Sequence, residues 1–279
     1  SCLISRPARA CFMTYLPLDF TDLLLAASLM LINGAISWAF ALGLERTLLI
    51  NSVRMTLQLA MIGFVLKWIF AQTSPVWTAG LATIMILVAG YEIVSRLSRR
   101  PKGFSTYLLG SGTLLLVGTL ATGFAVIGII GPDPWYQPRY VLPILGMVLG
   151  NAMTGIALTT STLLEAANRD RAAIEARLSL GADRFSAVAE TLRLALRTGL
   201  MPILNAMAAS GVVALPGMMT GQILAGLDPI EATKYQIMIM FLIAGSTALG
   251  VVIAGYGSVL LITDNRHRLR LDRLQSGSA

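Results

Sequence analysis

Seven apolar stretches, each long enough to cross a lipid bilayer as a helix, constrain this chain more than any other feature. They run over residues 20–43, 48–70, 76–93, 107–130, 140–164, 200–225 and 236–262. A helix needs about 20 apolar residues to cross the hydrocarbon core. Barrel strands alternate in character and run about 10 residues, so the stretches predict helices. Composition agrees, with 56% hydrophobic and only 13% charged residues, against about 25% charged in soluble domains. A soluble fold of 279 residues has no interior large enough for that surface. The expected fold class is all-α: a polytopic membrane helix bundle of about seven transmembrane helices.

Seven spans sort the basic residues onto two sides. One side receives Arg46, the group Arg96, Arg99, Arg100 and Lys102, six arginines between residues 165 and 197, and Arg266, Arg268, Arg270 and Arg273. That is 15 of the 21 Lys and Arg. The other side receives Arg6, Arg9, Arg139 and Lys234. Cytoplasmic loops carry the basic excess, so the N-terminus is expected outside and the C-terminus inside. The net charge of +7 is thereby mostly a topology signal. Its dispersal over four segments speaks against a nucleic-acid partner. The basic tail after residue 262 reads as a stop-transfer signal, with anionic lipid as the alternative.

The outer tail, residues 1–19, holds the two cysteines, Cys2 and Cys11, too few for a disulfide framework. It lacks the apolar core of a signal peptide. Residues 1–12 are either part of the natural chain or an upstream extension before a start at Met13.

The one sizeable polar segment is 165–197. Its apolar residues Ile174, Leu178, Phe185, Val188, Leu192 and Ala195 fall at steps of 4, 7, 3, 4 and 3, which is one helical face. Gly181 interrupts it and can take positive φ as a helix C-cap. Asp183 can cap the helix that follows. The segment predicts helix, tight turn, helix. It is either an interfacial connector or a docking surface for a cytoplasmic partner, and the near-balance of six Arg against five acidic residues favours docking.

Inside the spans, Pro216 and Gly217 interrupt the sixth, and a helix broken there either lines a substrate path or kinks against a neighbour. Gly217 and Gly221, like Gly146 and Gly150, make small-residue faces. Asn151 is an amide in an apolar span and is expected to bond across helices, as path or as lock. Gln58 and Gln222 carry the same ambiguity. Glu92, near the cytoplasmic end of the third span, is a candidate cation contact. Arg54 and Lys67 can snorkel.

Catalytic chemistry is thin. The single histidine, His267, lies in the tail, which excludes a His-based zinc site or a Ser/His pair within the membrane. There is no phosphate-binding G-x-x-x-x-G-K-[ST] run. Proton or sodium coupling usually needs buried carboxylates, and only Asp22 and Glu92 are near candidates. A transported metal would find amide and backbone oxygens, and thioethers such as Met153, Met218 and Met219.

Several runs carry a family likeness: Gly63-Phe-Val-Leu-Lys-Trp-Ile-Phe70, Pro143-Ile-Leu-Gly-Met147, Gly150-Asn-Ala-Met153, Leu178-Ser-Leu-Gly-Ala182 and Leu215-Pro-Gly-Met-Met-Thr-Gly221. The last continues through Ala225-Gly-Leu-Asp-Pro229 to Lys234-Tyr-Gln-Ile-Met238. The sequence resembles the FetB-type permease family of iron-export ABC transporters, which also contains plant aluminium-tolerance permeases. The resemblance implies a non-catalytic, multi-pass permease subunit in a plasma membrane (a bacterial inner membrane), exporting iron or a related metal. It implies a separate cytoplasmic ABC ATPase, with ATP-Mg on that partner and no cofactor on this chain, and a pair of copies of the permease. Glu175-Ala-Arg-Leu-Ser-Leu-Gly-Ala182 resembles the EAA loop of ABC importers, with Arg177 where that pattern has Ala.

The resulting expectations are a transmembrane permease domain over 20–262, a coupling loop over 165–197 and a basic cytoplasmic tail over 263–279. The ATPase-coupling residues are Glu175, Leu178, Leu180, Gly181 and Ala182. The substrate path runs along Gln58, Glu92, Asn151, Met153, Pro216, Gly217, Met218, Met219 and Gln222, and metal ligands are unassigned. The alternatives are an ABC permease for an organic cargo such as a nucleotide sugar, a membrane scaffold that moves nothing, and an ion-coupled carrier.

Overall fold

A computed structural model describes residues 19–71, 74–97, 99–101, 104–264, 266, 268–271 and 274–276. The expectations placed on Cys2, Cys11, Met13 and His267 lie outside these residues. Ten α-helices account for almost all of the described chain: α1 (Phe20–Ala39), α2 (Glu45–Phe70), α3 (Pro75–Ser95), α4 (Ser105–Gly123), α5 (Pro138–Arg169), α6 (Arg171–Ser179), α7 (Arg184–Ala187), α8 (Ala189–Ala209), α9 (Gly217–Leu224) and α10 (Pro229–Ile262). A π-helical segment, Phe124–Ile130, prolongs α4. The only sheet among the described residues pairs β1 (Arg99–Pro101) antiparallel with β2 (Leu274–Ser276). The all-α membrane fold is as expected.

Six of these helices are long and apolar enough to cross a membrane: α1, α2, α3, α4 with its π segment, α5 and α10. The sixth of the seven expected spans, 200–225, is not one helix. Its first half belongs to α8, which starts in the charged segment and carries Glu190, Arg193 and Arg197 near its N-terminal end. Helix α8 stops at Ala209, and helix resumes only at Gly217. Between them Gly211 takes φ +88°, and the Val213 and Ala214 amides donate to the Ala209 carbonyl at 3.1 and 3.0 Å. The break is therefore centred on the turn at Gly211. Pro216 stands just ahead of α9, where its missing N–H costs little.

The chain falls into two units. The first contains the α1–α2 hairpin and residues 220–232. The hairpin closes on buried Ser37, whose hydroxyl donates to Glu45 Oε1 at 2.9 Å and accepts from the Leu44 amide at 3.0 Å. In residues 220–232, Asp228 accepts from the Ile230 and Glu231 amides and so caps α10.

The second unit contains residues 73–219 and 233–279, and α5 runs through its centre. Three buried apolar clusters follow one another along that helix. The first gathers Ile144, Ala125 and Val126 with Ile203, Ile239 and Ile243. The second holds Leu149, Ala152 and Ile156 with Ile86, Ile93 and Leu114. The third joins Leu163, Leu164 and Ala167 to Ile174, Val188, Leu192, Val259 and Ile262. Helices α5, α8 and α10 meet most closely at glycines. A side-chain carbon at Gly155 would lie 2.9 Å from both Thr247 and Val251 and 3.0 Å from the Gly199 carbonyl. One at Gly199 would overlap the Thr159 hydroxyl. The glycines flagged in the sequence play no such part: a carbon added at Gly150, Gly217 or Gly221 meets nothing within 4 Å, and one at Gly146 only the end of Met85.

Candidate functional site

The polar segment folds as helix, turn, helix. Helix α6 runs only nine residues. It ends at Ser179 with Leu180 as its C-cap, and Gly181 follows in the left-handed region at φ +90°, a conformation that penalises any residue with a Cβ. The orphan carbonyls of the helix end are used locally: Gly181 N–H donates to Leu178 O and Ala182 N–H to Arg177 O, both at 3.1 Å. Asp183 then accepts from the Phe185 and Ser186 amides at 3.0 and 3.3 Å and starts α7.

The six apolar residues read as one face bury together. Ile174 and Val188 are each 1% exposed, and Leu192 and Ala195 are buried in the same cluster. Leu178, Ala182 and Phe185 pack against it from the rim. The floor of that cluster is the ends of α5 and α10, so the hairpin is seated on two of the long apolar helices. Leu269, beyond α10, packs on it as well. One large apolar residue of the turn is left out: Leu180 is 88% exposed.

Arg177, the departure from the importer-like pattern, fastens the hairpin. Its guanidinium donates to Glu190 at 2.7 Å and to the Ala187 carbonyl at 3.3 Å. That hydrogen bond, with the positive charge behind it, holds the Glu190 carboxyl below its ordinary range. At the start of α6, Arg169 grips Asp170 through two hydrogen bonds of 3.0 and 3.1 Å and lowers its carboxyl likewise. Glu175 pairs with Arg171 at 2.8 Å on the exposed side of α6. Arg169, Asp170, Arg177, Glu190, Thr191 and Leu194 line a cleft of about 440 Å³ beside the hairpin.

The residues expected on a substrate path are divided between the two units. Gln58 and Gln222 belong to the first unit, and the others to the second. Gln58 is exposed on α2. Glu92 pairs with Arg96 at 3.5 Å near the C-terminal end of α3. Asn151 turns back on its own helix, donating to the Met147 carbonyl at 2.9 Å. It therefore does not bond across helices as expected, because an i−4 carbonyl lies within reach of a short side chain. Met153 packs on the second cluster and Met218 on the first. Pro216 and Gly217 form the entry to α9, and Met219 follows on it. Sequence reasoning passed over Met147, Met238 and Met240, which join Met218 around the first cluster, and Gln236, whose buried carbonyl oxygen accepts no hydrogen bond. The signal was present in the i, i+4 spacing of Gln236 and Met240, on the face that carries Ile239 and Ile243.

Among the described residues no three His, Cys, Asp or Glu side chains gather as a metal site. A family model described as Uncharacterised protein family (UPF0014) matches residues 20–261, nearly the whole helical part of the chain. The chain belongs to the UPF0014 family. It is 34% identical over 259 residues to the Probable iron export permease protein FetB of Escherichia coli (strain K12), covering 92% of this chain and 98% of that one. It is 34% identical to Protein ALUMINUM SENSITIVE 3 of Arabidopsis thaliana, over 83% of each chain. It is 36% identical to the UPF0014 membrane protein STAR2 of Oryza sativa subsp. japonica, over 80% of this chain and 76% of that one. No solved structure matches it. Six apolar helices and this membership make the protein a multi-pass membrane protein of the UPF0014 family.

Proposed function

We propose that this UPF0014 chain is the permease subunit of an ABC transporter that exports iron or a related metal across a bacterial inner membrane. ATP-Mg is bound and hydrolysed on a separate cytoplasmic ATPase, and two copies of the chain form the transport path. The α6–α7 hairpin is the element that docks on the ATPase and receives its motion. The observation that carries this reading is the exposure of Leu180 at the tip of a turn whose flanking apolar residues are buried. A largely exposed leucine on a capped turn is a ready anchor for a partner's pocket. The similarity to a protein named as an iron export permease, along almost its full length, supports the cargo.

On the seven-span reading of the sequence, the hairpin falls on the side that receives 15 of the 21 basic residues, as a cytoplasmic element should. Its base is continuous with the packing of α5, α8 and α10, so a push on the hairpin reaches the membrane helices through buried side chains rather than through a flexible linker. ATP-driven closure of the ATPase pair thereby shifts the bundle between inward- and outward-open populations. ATP-dependent uptake of iron into inside-out vesicles that carry this chain and its co-expressed ATPase tests the proposal. Uptake should require ATP and fail with Gly181→Leu. Uptake that proceeds equally without ATP, or with the ATPase absent, would contradict it.

A further inference from the structure

The cluster at the Ile144 end of α5 is rich in sulfur. Met147 of α5, Met218 of α9 and Met238 and Met240 of α10 pack against its buried core. Thioethers from three helices thus come to one apolar cluster. Methionine packing alone accounts for sulfur there, because Met fills irregular gaps well. It does not account for Gln236. That residue lies one turn before Met240, on the face of α10 that carries Ile239 and Ile243. Its carbonyl oxygen is sealed from solvent and accepts no hydrogen bond. An unpaired amide oxygen in apolar surroundings is costly, and folded proteins retain few without a purpose.

The donor chemistry selects the ligand. Hard divalent cations require several oxygens, usually with carboxylates among them, and this cluster contributes one amide oxygen. Thioethers are soft donors that favour cuprous-type ions. With no anionic side chain in the donor set, a single positive charge is easier to bury than two. Met238 stands about half a helical turn from Gln236 and also lines the groove between α4 and α10, so it falls outside the set. We propose that Met147, Met218 and Met240, with the Gln236 carbonyl oxygen, form a binding site for a soft monovalent cation, cuprous or silver ion. The site is a property of the chain itself and does not depend on ATPase docking or on iron being the cargo.

The test uses the purified full-length chain in mild detergent with Cys2→Ser and Cys11→Ser, so that thiols cannot contribute. Anaerobic titration with Cu⁺ against a chromogenic chelator reads affinity, and X-ray absorption reads the atoms around the bound copper. The expected result is one Cu⁺ withheld from the chelator per chain, with sulfur in its coordination shell. The combined variant Met147→Leu, Met218→Leu and Met240→Leu should weaken binding by about tenfold or more, since each lost thioether removes a soft donor. Leu closely matches Met in volume, so helix content and melting should hold. Met153→Leu, at the neighbouring cluster, should bind as the parent does. Complete surrender of Cu⁺ to the chelator, equal affinity in the triple variant, equal loss in Met153→Leu, or a copper shell without sulfur would each overturn the proposal. If the triple variant does not fold, Gln236→Leu and the copper spectrum of the parent decide it in the same way.

Discussion

Arg177 and Glu190 lie 13 residues apart in sequence and 2.7 Å apart in space, joined across the Gly181 turn. The same guanidinium reaches the Ala187 carbonyl, so one side chain ties α6 to the end of α7 and the start of α8. Both partners are substantially exposed, and exposed pairs add little to global stability. What the pair sets is the angle between the two arms of the hairpin, and with it the presentation of Leu180.

A pH dependence follows from this pair. The Glu190 carboxyl is held below its unfolded value by Arg177. A depressed carboxylate contributes stability above the unfolded pKa and loses it as pH falls through the folded one. Arg177→Gln or Glu190→Gln should therefore loosen the hairpin at pH 7, read as faster amide exchange over α6 and α7. The Glu190→Gln difference from the unaltered chain should fade as pH falls through the folded pKa of Glu190 and its carboxyl becomes protonated. A difference that persists once it is protonated would show that the ion pair is not its cause.

Stability and coupling should separate within the hairpin. Ile174 is 1% exposed in the cluster beneath it, and Ile174→Ala should cost about 2–5 kcal/mol in detergent-resolved unfolding. Leu180 is exposed, and Leu180→Ala should change stability by less than about 0.5 kcal/mol while reducing ATP-driven export. Loss of stability with Leu180→Ala would mean that the residue is packed rather than presented.

The closest helix contact predicts a severe small substitution. Gly199→Ala places a carbon against the Thr159 hydroxyl and 2.7 Å from the Gly155 carbonyl. Overpacking of this kind costs about 1–3 kcal/mol, to be read as a lowered melting temperature. Thr159→Ala in the same chain should restore only part of it, because the carbonyl remains. Gly150→Ala, which meets nothing, is the neutral comparison. Equal effects at the two glycines would argue against the α5–α8 contact.

Much of this was legible in the sequence because local rules and tertiary packing agree. The face Ile174, Leu178, Phe185, Val188, Leu192 and Ala195 could be read from spacing, since an amphipathic helix buries one face wherever it lands. Gly181 and Asp183 could be read because positive φ and capping are local needs. The break in the sixth span was expected at Pro216 and lies instead around Gly211. Either residue can interrupt a helix, and the choice rests on which backbone groups find partners in the turn. Glycine spacing misled for a related reason: Gly150 and Gly155 look alike in sequence, and only the arrival of Gly199 and Thr247 makes Gly155 the contact. The partners of Asn151 and of the span methionines were not legible, because amides and methionines say nothing of depth or rotation until their helices are packed.

A photocrosslinking residue at position 180, in the chain expressed with the ATPase it is proposed to serve, tests the docking of the hairpin by what it captures in native membranes. The expected result is a crosslink to the ATPase, in stoichiometric yield with the co-purified subunit, and its loss in the Gly181→Leu background. Capture of lipid alone, with the ATPase absent from gently purified material, would contradict it.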